Sequence, residues 1–191
     1  FFFFYHHNLL GRVHLHIPGD HNITNALSAF AVAYTLSLPI KDIIKGLEQF
    51  HGTQRRFERK GEKNGVLVID DYAHHPTEIK ATLAAAKKIQ HHTTYCVFQP
   101  HTYSRTKTLF DSFAKAFTDA DVIIIADIYD AREKDTGLVT SQQLVEKIKE
   151  HHKNAVYCGD FEQITEYLKA HCQVGDLILT IGAGDVYHIG E

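Results

Sequence analysis

Four short strings hold most of the residues that can do chemistry. They are Asp70-Asp71-Tyr72-Ala73-His74-His75-Pro76, Gln99-Pro100-His101-Thr102-Tyr103-Ser104-Arg105, Asp127-Ile128-Tyr129 with Arg132 and Glu133, and Gly182-Ala183-Gly184-Asp185. Asp71 can ligate a metal, hold a ribose hydroxyl or cap the next helix. His74 and His75 can bind metal or substrate, although His75, directly before Pro76, reads as a helix cap. His101 and Arg105 lie four apart near a helix start. Backbone N–H groups and the helix dipole favour anions there, which suits a carboxylate or a phosphate. The Gly-Ala-Gly-Asp turn says little alone, since glycine follows strands for steric reasons. Two other places carry candidates. Asn22 and Asn25 are three apart on one helix face, where two carboxamides can read a purine edge or cap the helix. Gln54-Arg55-Arg56-Phe57-Glu58 offers a guanidinium that can reach a phosphate, or a solvated charge cluster.

These strings make sense if one scaffold presents them together. Leu9–Ile17 alternates apolar with polar and predicts a strand. A helix is expected from about His21 to Leu36, with Ile23, Leu27, Phe30 and Tyr34 on one face, and a second from Pro39 to about Phe50. Gly52 breaks the pattern, and the domain boundary is placed there. Beyond it, Phe57–Lys60 and Val66–Asp70 predict a hairpin. Strands at Tyr95–Phe98, Val122–Ala126, Ala155–Cys158 and Leu177–Ile181 then alternate with helices at Pro76–Ile89, Ser104–Phe117, Ser141–Lys149 and Phe161–His171. This rhythm predicts an α/β fold, a Rossmann-like, mostly parallel sheet covered by helices on both faces. A partial α/β segment precedes it. In such sheets ligands bind beyond the carboxyl ends of the strands, and the four strings all follow strands.

Composition narrows the class. Hydrophobic residues make up 44% and charged residues 23% of 191, as in a soluble globular protein, and a net charge of −3 gives no electrostatic case for nucleic acid. No apolar run approaches the roughly 20 residues needed to cross a bilayer. Phe1–Tyr5 has no basic flank of the kind a signal peptide needs and reads as a strand. Cys96, Cys158 and Cys172 are odd in number and far apart, which fits a reducing cytosol.

The strings also combine into a pattern. GDHNITNALSAFAVA from Gly19, FHGTQRRFE from Phe50, DDYAHHPTEIKATL from Asp70, FQPHTYSRT from Phe98, DIYDAREKDTG from Asp127 and GAGD from Gly182 resemble the Mur ligase family, over about Leu9 to Asp185. The resemblance implies a three-domain enzyme, with residues 1–52 as the tail of the central ATP-binding domain and 53–191 as the C-terminal Mur ligase domain. It implies ATP- and Mg2+-dependent amide formation through an acyl phosphate, joining L-alanine to UDP-N-acetylmuramate in peptidoglycan precursor synthesis. Asn22 and Asn25 would contact adenine, Arg56 the ATP phosphates and Asp71 the ribose. Tyr72, His74, His101 and Arg105 would face the substrate and the incoming alanine. Thr102 stands where some family members carry arginine and is left out of the expected site. The chain has no Gly-Lys-Thr or Gly-Lys-Ser. It is therefore expected to be a fragment that is inactive alone, with residues 1–52 leaning on the larger domain, pairing with another copy or moving.

Three other readings stay open. A recycling ligase that attaches a tripeptide to UDP-N-acetylmuramate shares the Asp-x-x-His-His-Pro arrangement but favours Phe at the position of Tyr72. A metal-dependent phosphoesterase built on Asp71, His74 and His75 needs further aspartates, with Asp127 and Asp185 as candidates. A non-catalytic nucleotide-binding module is the third.

Overall fold

The computed structural model describes residues 1–135 and 137–191. They form two compact units, Phe1–Gln54 and Arg55–Glu191.

In the first unit, strands β1 (Phe2–Tyr5) and β2 (Asn8–Arg12) pair antiparallel around His6-His7. Both turn residues have positive φ, the geometry that matches strand twist in two-residue hairpins. The pairing ends with mutual bonds between Phe1 and Val13. The expected strand over Leu9–Ile17 is thus shorter and shifted. His14–Ile17 keep the alternation but find no strand partner among the described residues, and alternation without a partner does not make a strand. Helices α1 (Asp20–Thr35) and α2 (Ile40–Glu48) follow. Phe3, Val13, Phe30 and Ile43 are the buried core, with the Phe3 and Phe30 rings stacked at 4.0 Å. Period two turns Phe2 and Phe4 outward, where they are 57% and 64% exposed.

The second unit is a six-stranded sheet. Strands β3 (Glu58–Lys63) and β4 (Val66–Asp71) form a hairpin. Its turn is Asn64-Gly65, both with positive φ, so β3 runs further than the expected Lys60. Strands β5 (Thr94–Phe98), β6 (Val122–Ala126), β7 (Ala155–Gly159) and β8 (Leu177–Ile181) join in the order β3-β4-β8-β5-β6-β7. Every pair except β3–β4 is parallel.

Helices lie on both faces. On β5 and β6, Cys96, Phe98, Ile123 and Ile125 face one core, with α3 (Pro76–Ala86), α5 (Phe110–Ala114) and α6 (Ser141–Lys149). Tyr95, Val97, Ile124 and Ala126 face the other, with α7 (Phe161–His171) and a 3-10 turn at Val186–Gly190. The single helix expected over Ser104–Phe117 is two: α4 (Tyr103–Thr108) and α5, separated at Leu109 with φ −104° and ψ 17°. Thr106 Oγ1 bonds back to the Thr102 carbonyl, a contact that bends helices. Among the described residues no helix is long and apolar enough to cross a membrane.

Candidate functional site

The site is built from the second unit's first residues and the turns after β4, β5, β6 and β8. Arg55 fixes the start of the unit. Its Nε donates to Asp70 Oδ2 at 3.0 Å and its Nη2 to the Gly182 carbonyl at 2.6 Å. The Asp70 side chain is wholly buried and also accepts from Thr180 Oγ1 at 2.6 Å. The guanidinium carbon lies 4.8 Å from the Tyr72 ring and 4.5 Å from the Tyr187 ring. The Tyr72 amide donates to the Arg55 carbonyl at 2.7 Å. Arg55 therefore ties the ends of β4 and β8 together and holds Tyr72.

Asp71 is buried. Its Oδ2 accepts the Phe57 amide at 2.9 Å and its Oδ1 the Ala73 amide at 2.8 Å. Burial raises its pKa, against the pull of those amides and of Arg56. In this arrangement Asp71 fixes the backbone beside Arg56 and beside His74. A ribose hydroxyl would have to share oxygens already bonded to two amides.

Arg56 takes the opposite role to Arg55. It is exposed, in no ion pair among the described residues, and 5.9 Å from the Tyr72 ring. The positive φ of both Arg55 and Phe57 accompanies this reversal, by which adjacent arginines point to different partners.

Behind the Tyr72 turn, His75 caps α3. Its ring accepts the Thr77 amide, and Glu78 returns to the His74 and His75 amides at 2.9 and 3.1 Å. The cap reading of His75 holds. His74 is partly exposed. Its Nδ1 lies 3.0 Å from the Tyr72 carbonyl and 3.7 Å from Glu78 Oε2.

The His101 ring is 6.0 Å from the His74 ring and 5.5 Å from the Tyr129 ring, on which it stacks. Arg105 Nη1 donates to His101 Nδ1 at 2.9 Å. Arg105 is in no ion pair among the described residues; its guanidinium does not pair with Asp71 or Asp127. Tyr129 is held by backbone bonds to Pro100 and Thr102 and packs against Gly184. A Cβ at Gly184 would lie 2.7 Å from that ring, and the Gln99 amide is closer still. The glycine turn thus has a steric cause, as its residue types allow.

One expectation is corrected. The helix start at α4 has no free N–H groups for an incoming carboxylate. The Ser104 amide donates to Glu133 at 2.8 Å, its hydroxyl donates to the same carboxylate, and the Arg105 amide is 3.4 Å from Thr102 Oγ1. These bonds, that of the Ser104 hydroxyl first, draw the pKa of Glu133 down. An anion here meets the Arg105 side chain, with His101 beside it, and not the amides of Ser104 and Arg105.

Tyr72, His74, His101 and Arg105 are therefore brought together, with Arg56 and Asp71 beside Tyr72. Asn22 and Asn25 belong to the first unit. Asn22 Nδ2 donates to the Pro18 carbonyl at 2.6 Å and Asn25 Nδ2 to Asn22 Oδ1 at 3.2 Å, which leaves further donor and acceptor positions open. Arg55, Tyr129 and Glu133 are the site-shaping residues that sequence reasoning named only within strings. The signal for Tyr129 and Glu133 was position after a strand, and for Arg55 its place in the charged string before β3; neither distinguishes support from contact.

His101 gives a pH prediction. Burial, then the charges of Arg105 and His74, hold its pKa below the ordinary imidazole value. The unfolded chain then binds more protons than the folded one once pH falls below about 6.5. Stability is expected to be full above that value and to fall as pH drops through the folded pKa. Urea midpoints taken from about pH 7.5 to about 5 should fall, and Arg105→Ala should flatten the fall. An unchanged slope in the variant would contradict this.

Asp127 accepts from the Tyr157 hydroxyl at 2.6 Å, a bond that, with burial, pushes Tyr157 up to about 12. Asp71 is bonded to two amides. Among the described residues no group of three or more His, Cys, Asp or Glu side chains is placed to hold a metal ion. These side chains do not fit the two-metal arrangement that a phosphoesterase needs.

Residues 55–184 match a family model described as Mur ligase, glutamate ligase domain. The chain belongs to the Mur ligase family. A UDP-N-acetylmuramate–L-alanine ligase of Clostridium acetobutylicum is 57% identical over 183 residues, 96% of this chain and 40% of that protein. The chain thus spans about two fifths of the length of the curated Mur ligase relatives it matches. Among solved structures, a UDP-N-acetylmuramate-alanine ligase from Thermotoga maritima superposes with a TM-score of 0.76 at 27% identity, covering 93% of this chain and 37% of its own. A murein peptide ligase from Psychrobacter arcticus reaches 0.67 at 29% identity over the same shares.

Proposed function

We propose that this chain is part of an ATP-dependent ligase that joins L-alanine to UDP-N-acetylmuramate. Residues 1–52 are read as the tail of its central ATP-binding domain and 53–191 as its C-terminal domain. The supporting observation is the facing set of Tyr72, His74, His101 and Arg105 at the carboxyl edge of the sheet, in a family whose similar members carry that name. An amino acid brings a carboxylate and an amine, and this set offers a guanidinium and two imidazoles to receive them.

In the proposed reaction the muramate carboxylate takes the γ-phosphoryl group of ATP. The alanine amine then displaces phosphate from the acyl phosphate. Arg105 and His101 orient alanine by its carboxylate, which leaves the nitrogen free to attack. The unpaired guanidinium of Arg56 fits a phosphate and would offset the charge that develops on the phosphoryl oxygens. Asn22 and Asn25 would hold adenine, and Asp71 would fix the turn beside the nucleotide. Mg2+ is held mainly by substrate phosphates with one or two carboxylates. Among the described residues there is no cluster of three or more carboxylate, histidine or cysteine side chains for it. The reading places the protein in the cytoplasm, in keeping with three free cysteines.

The test uses the longer ligase that contains this chain. It should release phosphate with L-alanine, ATP and UDP-N-acetylmuramate together. The tripeptide L-alanyl-γ-D-glutamyl-meso-diaminopimelate should be a poor amine substrate. Preference for the tripeptide would favour the second reading, which the murein peptide ligase likeness supports. The 191-residue chain, without a Gly-Lys-Thr or Gly-Lys-Ser sequence, is expected to release no phosphate above background. Alanine-dependent release from it would count against the reading.

A further inference from the structure

The hydrogen-bond partners of the two facing imidazoles fix their tautomers, and the tautomers are opposite. The Tyr72 carbonyl can only accept, so His74 Nδ1 must carry the proton and its Nε2 presents a lone pair. Arginine can only donate, so His101 Nδ1 must be the acceptor and its Nε2 carries the proton. Neither Nε2 has a hydrogen-bond partner among the described residues. With the ring centres 6.0 Å apart, the pair brings one acceptor nitrogen and one N–H donor close together, the donor's ring held by Arg105. An α-amino acid zwitterion has the complementary pair, an ammonium that donates and a carboxylate that accepts.

We infer that His74 is the base that takes the proton from the incoming amino acid's ammonium group, while His101 and Arg105 hold its carboxylate. This rests on the ligase reading above and deepens it. The amine must lose a proton before it can attack. Neutral His74 Nε2 takes that proton and becomes imidazolium. The nitrogen lone pair then forms the C–N bond at the acyl phosphate carbon. The C–O bond to phosphate breaks, and the leaving phosphate takes the electron pair and the second amine proton. The products are the amide, hydrogen phosphate and protonated His74, which returns its proton to solvent.

The surroundings suit this assignment. Glu78 Oε2 stands 3.7 Å from His74 Nδ1, and a carboxylate there keeps the ring oriented. The other groups facing His74 are the Tyr72 ring, at 5.7 Å edge-on, and His101. The charge of Arg56 acts on Glu78 as well. His101 is the poorer base. Its lone pair is engaged by Arg105, and burial with that charge disfavours its protonation.

Two measurements test this. Long-range nitrogen NMR of the histidine rings in the 191-residue chain, at a pH where they are neutral, should show His74 protonated at Nδ1 and His101 at Nε2. The reverse at His74 overturns the proposal, whatever the protein's reaction. In the longer ligase, His74→Gln cannot accept a proton. Its kcat/KM for L-alanine should fall about 100- to 10,000-fold. Hydroxylamine reaches the site largely uncharged, so its capture of the acyl phosphate should fall far less than alanine turnover, since it does not need the proton removal. Retained alanine turnover, or equal loss with hydroxylamine, overturns the assignment. A wild-type ligase that forms no alanyl product removes the functional reading itself, and the inference falls with it.

Discussion

Arg105→Ala in the longer ligase is expected to raise the L-alanine concentration needed for half-maximal rate by about 30- to 1,000-fold, with little change for ATP. The range corresponds to about 2–4 kcal/mol for the loss of a charge-assisted contact to a carboxylate. Three observations lead to it. The guanidinium is in no ion pair among the described residues, and its one side-chain partner is the neutral acceptor His101 Nδ1. It sits where the amides of α4 are already satisfied by Glu133 and Thr102, so no other donor there can replace it. Its removal also frees His101 Nδ1, so His101 no longer presents a fixed donor. Arg105→Lys keeps the charge but loses the fork and should recover only part of the effect. Alanine saturation that stays normal while the protein unfolds more easily would assign Arg105 to structure instead.

The second large effect concerns stability. Arg55→Ala should destabilise the second unit by about 3–5 kcal/mol, the usual cost of leaving a buried charge without its partner. The Asp70 carboxylate is fully buried and, among the described residues, keeps only the Thr180 hydroxyl once Arg55 is gone. The stacking of the guanidinium against Tyr72 and Tyr187 is lost as well. Urea unfolding of the 191-residue chain, followed by circular dichroism, gives the shift. Protection of the Tyr72 amide, which donates to the Arg55 carbonyl, reports on the site. Arg55→Met with Asp70→Leu should recover most of the loss, because a buried pair replaced by apolar groups of similar size is often neutral. A single-variant cost below about 1 kcal/mol would show that the pair is dispensable. Arg56→Ala, by contrast, should leave stability nearly unchanged, as exposed charges do.

The two neighbouring arginines show how far the sequence could be read. Types and spacing named the string Gln54–Glu58 and placed a guanidinium there for a phosphate. They could not tell Arg55 from Arg56. The difference lies in backbone angles at 55 and 57 and in Asp70, Thr180 and Gly182, which are far away in sequence. The fold class was legible because short β-branched strands alternate with helices, and that rhythm is local. Strand order was not, since every parallel strand presents the same apolar run to either neighbour. The strings after β4, β5, β6 and β8 do meet, through the contacts of His74 with His101, His101 with Tyr129 and Tyr129 with Gly184. The mistaken free helix start had a similar origin. Glu133, which fills it, lies 29 residues from Ser104, and no local pattern announces the pairing.

The place of β8 has a consequence for how the protein is made. This strand, close to the last in the sequence, lies between β4 and β5. A ribosome will have delivered β4, β5, β6 and β7 well before residue 181 leaves its exit tunnel. Until then β4 and β5 cannot be joined, and the nascent chain carries two apolar strand edges that await the same partner. Such edges invite pairing with other chains. Early termination, or proteolysis that removes β8, would therefore divide the sheet rather than shorten it. The parallel sheet of this domain should therefore be completed only once β8 is available, with the nascent chain dependent on whatever shields exposed strands in the meantime.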